Sequence, residues 1–129
     1  MKINHFEDLE CWKLGRDLSK GIYMLTRKPL FAKDYGLVDQ VRRSAVSVMT
    51  NIAEGFEKGT NKDFVKYLYI ARGSSGETRS LLYVALDQGY ISADEFERSK
   101  SLCIRCSQVI YGLIQYLVKH KDWRTGEPS

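Results

Sequence analysis

Phe64, Leu68, Ala71, Ser75, Thr78, Leu82 and Ala85 follow one another at alternating spacings of four and three without a break. That is a heptad seam, the pattern of helices packed side by side at a shallow angle. A seam of this length needs partners of comparable length, and the chain supplies three. Leu37, Val41, Ala45, Val48 and Ile52 share one stripe, with Val38, Met49 and Phe56 beside it. Upstream, Cys11, Leu14, Leu18, Ile22 and Leu25 repeat the pattern; downstream, Phe96, Ser99, Cys103, Cys106, Ile110, Leu113 and Leu117 do so again. Neither an alternating strand pattern nor a solenoid repeat is found.

The breaks between these segments set the boundaries. Pro29 ends the first helix and pushes Lys28 out of the helical region, so residues 28–35 are expected to form a loop. Gly55 and Gly59 close the second helix by supplying left-handed or extended conformations. Thr60 with Asp63, and Ser92 with Glu95, have capping-box spacing, and Gly89 stands between the last two helices. The expected architecture is all-α: an up-down-up-down antiparallel four-helix bundle over residues 1–120, with helices near 8–27, 36–56, 61–88 and 93–120. Residues 121–129, with Gly126 and Pro128, read as a disordered tail.

Composition excludes several classes. Of 129 residues, 43% are apolar and 28% charged, as in ordinary globular proteins. No run approaches the 18 apolar residues of a membrane span, and the acidic start MKINHFEDLE does not read as a signal peptide. Three cysteines, an odd number, fit reduced thiols better than a disulfide framework. The expectation is an uncleaved cytoplasmic protein. A net charge of +4 is a mild bias toward polyanions.

The motifs for chemistry are sparse. Cys103 and Cys106 have CxxC spacing, but a zinc site needs two more ligands. Of the remaining soft donors, Cys11, His5 and His120, His5 lies before the first helix and His120 at the end of the fourth, whereas the pair sits about midway along the fourth. Both cysteines also occupy core-stripe positions, where a thiol behaves as a small hydrophobe. A di-iron bundle needs Glu-x-x-His, which does not occur, and Gly73-Ser74-Ser75-Gly76 lacks the lysine of a phosphate loop. The reading is a non-enzyme without catalytic residue, metal or cofactor; an enzyme using Cys106 is the least favoured alternative. Gly73 and Gly76 weaken the middle of a long helix, and close approach of another helix is the favoured reason, with a ligand as the alternative.

Two polar features remain. Arg43, Ser47, Thr50 and Glu54 form a stripe opposite the core face of the second helix, beside Arg42. On the third helix Arg72 and Arg79 flank Gly76, with Tyr83 next along. Arginine and tyrosine on one strip could grip phosphates and stack on bases. The favoured alternative is internal pairing with Glu54, Glu77 or Asp87, which fixes register in bundles. Trp12 and Tyr23 lie on a second stripe of the first helix with Leu9 and Ser19, as a broad core face or as a subunit contact.

At these residues a family resemblance enters. Tyr35-Gly36-Leu37, Gln40, Arg42-Arg43, Ser47, Asn51-Ile52-Ala53-Glu54-Gly55, Ile70-Ala71, Gly73-Ser74, Glu77 and Gly89-Tyr90-Ile91 resemble the four-helix-bundle family of 23S rRNA intervening-sequence proteins. Phe6, Leu9, Trp12, Leu18, Tyr23 and Thr26 are similar to that family's first helix, so the resemblance covers about residues 6–118. It implies a bacterial four-helix bundle. Related accessory proteins of diversity-generating retroelements form basic homopentamers that engage a reverse transcriptase and nucleic acid. By that similarity the expectation is a homopentamer binding RNA or DNA, or a nucleoprotein partner. Arg42, Arg43, Asn51, Glu54, Ser74 and Glu77 match the polar signature, with structural or interfacial roles and no catalytic one. Three departures stand out: Met49 where many relatives have Pro, a longer connection at Pro29-Leu30-Phe31, and the added charge of Arg72 and Arg79.

Two functions follow. One is a binding module presenting Arg42, Arg43, Arg72 and Arg79 to nucleic acid. The other is a purely structural or protein-interaction module whose Trp12, Tyr23 and polar stripe serve assembly.

Overall fold

The computed structural model describes residues 3–120. Among them a 3-10 turn, Phe6–Asp8, precedes four long helices: α1 (Glu10–Thr26), α3 (Tyr35–Glu57), α4 (Asn61–Asp87) and α5 (Ala93–Lys119). Each long helix begins or ends within two residues of its expected boundary. The expected tail, 121–129, lies outside the described residues.

The helices pack as a square, with α1 and α4 on opposite corners, each against α3 and α5. All neighbours run antiparallel, as the paired residues show. Ser44 meets Thr78 and Ser47 meets Ser74 between α3 and α4. Ser75 meets Cys103, and Asn61 meets Leu117, between α4 and α5. Gly15 lies under Met49, while Thr26 meets Arg42, between α1 and α3. Glu10 pairs with Arg105 at one end of α1, and Lys28 just past its other end pairs with Glu95. The fold is therefore the up-down-up-down bundle that the heptad spacing predicts.

Every residue of the α4 seam is buried, as are Leu37, Val41, Ala45, Val48, Ile52 and Phe56 of α3. The middle of the seam is small and hydroxylated, and each hydroxyl is bonded across helices. Ser44 and Thr78 lie 2.8 Å apart, as do Ser47 and Ser74; Ser75 donates to the Cys103 carbonyl at 2.8 Å and accepts from Ser107 at 3.2 Å. Small residues allow close backbones, and satisfied hydroxyls avoid the cost of burying bare polar groups. On α1 the buried face is rotated from the expected stripe: Leu14 and Leu25 are half-buried, whereas Gly15 and Ser19 face α3.

Several local expectations change. The connection at 28–35 is not wholly a loop, because Pro29–Ala32 forms one helical turn, α2. Pro29 stands at its start, where a missing N–H costs nothing, and Lys28 is extended as a pre-proline residue should be. The turn buries Phe31 completely and stacks it on Tyr90 at 5.2 Å. Gly55 does not terminate α3; it sits inside the helix, where an added Cβ would lie 2.6 Å from Tyr67 Cβ. Gly59 (φ 94°) and Gly89 (φ 74°) make the left-handed turns.

The helix α5 is long and apolar enough, by length and composition alone, to cross a membrane. Its Cys103, Cys106, Ile110, Ile114 and Leu117 nevertheless form the fourth wall of the core.

Candidate functional site

The four arginines singled out from the sequence fall on two opposite sides of the square. Arg42 and Arg43 lie on the α1–α3 side. Arg42 is half-buried; its Nε donates to Thr26 Oγ1 at 2.9 Å and its guanidinium lies 4.3 Å from the Tyr23 ring centre. Thr26 in turn donates to the Ile22 carbonyl at 2.8 Å, so this arginine is held from two directions. Arg43 is open to solvent and pairs with Asp39 one turn back at 2.9 Å. Together with Tyr35 and Thr50 they border a depression of about 540 Å³. It contains a carboxylate, and its better-placed arginine is already engaged.

Arg72 and Arg79 lie on the α4–α5 side. Two antiparallel helices packed side by side leave a groove between their outer flanks, here about 710 Å³, within the range of ligand clefts. The α4 wall is Tyr69, Arg72, Gly76 and Arg79; the α5 wall is Ile104, Gln108, Tyr111 and Gln115. No acidic residue lines it among the described residues. Neither arginine forms an ion pair among the described residues, and the pairing with Glu54, Glu77 or Asp87 expected from the sequence is not made. The Arg72 guanidinium instead lies 4.4 Å from the ring centre of Tyr111, a cation–π contact across the groove.

Gly73 and Gly76 overturn the close-packing expectation. A Cβ built on either would meet nothing within 4 Å, and the same holds for Gly112 on α5. All three are exposed and border the groove. The helix packing that was expected there is carried by Ser74 and Ser75 instead. Tyr83, expected to continue the arginine strip, packs edge-on against Phe96 at 4.7 Å. Tyr111 was not singled out from the sequence. The available signal was its α5 flank, where Ile104, Gln108, Tyr111 and Gln115 repeat at four, three and four.

The remaining residues have other positions. Asn51 Nδ2 donates to the Ser47 carbonyl at 2.9 Å and to Ser47 Oγ at 2.8 Å, extending the Ser47–Ser74 contact. Glu54 and Glu77 are exposed. Trp12 rests on Phe6 with ring centres 5.3 Å apart, and Tyr23 lies under Arg42. Cys11, Cys103 and Cys106 are buried free thiols, each pushed up to about 12 by burial. At neutral pH they are protonated and behave as packing groups. Among the described residues no cluster of three or more His, Cys, Asp or Glu side chains could hold a metal ion.

A family model described as 23S rRNA-intervening sequence protein matches residues 7–112. A crystal structure of a protein with unknown function from the S23 ribosomal protein family, from Bacteroides thetaiotaomicron, superposes with a TM-score of 0.76 at 21% identity. The match covers 81% of this chain and 98% of that one, and at this identity it shows a shared fold alone. No curated protein matches the sequence.

Proposed function

We propose, from the premise that this chain belongs to the 23S rRNA-intervening sequence protein family, that it is a non-catalytic bundle that binds nucleic acid through the α4–α5 groove. One observation carries the reading: Arg72 and Arg79 line a groove that has tyrosines and no carboxylate among the described residues. Unpaired guanidiniums contact phosphate, and tyrosine faces stack on bases. Arg42 and Arg43, the other half of the sequence-derived set, are bonded to Thr26 and Asp39 and belong to a secondary surface. RNA and DNA share the recognised chemistry, and a nucleoprotein such as a reverse transcriptase complex would present it too.

The test is a fluorescence-anisotropy titration with labelled RNA and DNA at low and moderate salt. Replacing Arg72 and Arg79 together by alanine should abolish most of the salt-dependent binding. Replacing Arg42 and Arg43 should reduce it far less. Equal losses for the two pairs, or no binding by the wild type at low salt, contradict the reading.

Self-assembly is a second proposal, favoured by Ile70 and Val84, apolar residues that remain 45% and 43% exposed on the outer side of α4. Apolar area exposed on a regular face is available to another copy. The family resemblance implies a homopentamer, with Trp12 and Tyr23 as candidate contacts. Sedimentation equilibrium decides: a monomer at micromolar concentration contradicts assembly. The three free, buried thiols are what supports a reducing, cytoplasmic setting.

A further inference from the structure

We infer that the α4–α5 groove takes a single strand in preference to a duplex and holds it mainly through its bases. The inference rests on the nucleic-acid reading above. Among the described residues two cations line the groove, and they stand seven positions apart on the helix, about 10 Å along the axis. A duplex offers its phosphates as two rows and keeps its base faces stacked, so it could use little of this surface beyond those two charges. The other groove side chains act on exposed bases. Tyr69 and Tyr111 are 51% and 38% exposed, so part of each ring is open to stacking, while Arg72 covers one face of Tyr111. Gln108 and Gln115 carry amide donors and acceptors suited to base edges, which only an unpaired strand frees on all sides.

The groove border supports the same occupant. At Gly73, Gly76 and Gly112 the helix backbone lies bare, and nothing in the bundle occupies the space. A flat base or a ribose can approach the helix there without displacing a side chain. The Arg72 guanidinium, 4.4 Å from the Tyr111 ring centre, can bracket a base inserted beside that ring.

The experiment compares fluorescein-labelled oligouridylate, oligothymidylate and each strand annealed to its complement. Both single strands should bind, and the duplexes should bind at least about 25-fold more weakly, since two stacking contacts of about 5-fold each are lost. Two phosphate contacts predict a log–log salt slope of about −1.4 for single strands. Tyr69→Ala and Tyr111→Ala should each weaken single-strand binding by about 5- to 150-fold, with Phe at either position restoring most of it. Gly76→Leu should block binding while the helix signal in circular dichroism is unchanged, because the new side chain enters open space.

Duplexes bound as tightly as single strands would overturn the inference and leave the nucleic-acid reading standing. Absence of binding to every probe would overturn both. A Gly76→Leu variant with altered native mass and intact single-strand binding would make the groove a contact between copies, and would also overturn it.

Discussion

Helical glycines in this bundle are of two kinds, and alanine should act on them with opposite sign. At Gly55 the added Cβ lands 2.6 Å from Tyr67 Cβ and 3.2 Å from Phe64 Cδ1. Both Cβ positions are fixed by backbone, so no rotamer change relieves the first contact; α3 and α4 must separate locally. Overpacking of this kind costs about 1–3 kcal/mol, and a clash that no side chain can evade belongs at the upper end. The helix-propensity gain from Gly to Ala returns about 1 kcal/mol. The net expectation for Gly55→Ala is a loss of about 2 kcal/mol. At Gly76 nothing lies within 4 Å, so only the propensity gain remains and Gly76→Ala should add about 1 kcal/mol. Urea denaturation followed by circular dichroism measures both, with m unchanged if only the native packing is altered. A neutral or stabilised Gly55→Ala variant would refute the close α3–α4 approach. A destabilised Gly76→Ala variant would refute the open groove.

Further outcomes follow from the same contacts. Ser44→Ala should cost about 1 kcal/mol, since Thr78 keeps its bond to the Ser74 carbonyl; Ser44→Ala with Thr78→Val should cost less than the sum of the two single changes in a double-mutant cycle. With thiol values near 12, the thiolate fraction at pH 8 is about one in ten thousand. A thiol reagent should therefore label native protein only as fast as it opens and label all three cysteines in urea; rapid native labelling would contradict the burial. Glu95 is held below its ordinary 4.5 chiefly by the hydrogen bond from Lys28, with help from the Ser92 backbone N–H. A depressed carboxyl stabilises the fold above its unfolded value, and that contribution is lost as pH falls below about 4.5. The stability advantage of wild type over Glu95→Gln should thus be full near neutrality and shrink on acidification; an advantage that grew in acid would contradict the sign.

The bundle was legible in the sequence because its signals are local and periodic. Three-and-four spacing locates a buried face, and Thr60, Ser92, Pro29, Gly59 and Gly89 mark helix ends by their backbone chemistry. What escaped depends on which helix lies beside which. Gly55 and Gly76 are equivalent as letters, yet one lies under Tyr67 and the other over a groove. The partner of Arg72 is Tyr111, 39 positions away on α5, and no spacing rule within α4 could indicate it. Phe31 was read as part of a loop because one helical turn is too short to show periodicity. The four arginines belong to two surfaces because α3 and α4 turn different flanks outward, which the periodicity of each helix taken alone does not fix.

The most direct test of the central claim is a heteronuclear NMR titration with oligouridylate, following the glycine amides. Binding in the α4–α5 groove predicts that Gly73, Gly76 and Gly112 shift together and saturate with one affinity, while Gly21 on α1 and Gly36 on α3 hold their positions. Shifts confined to Gly21 and Gly36, or no shift in the three groove glycines at saturating strand, would contradict it.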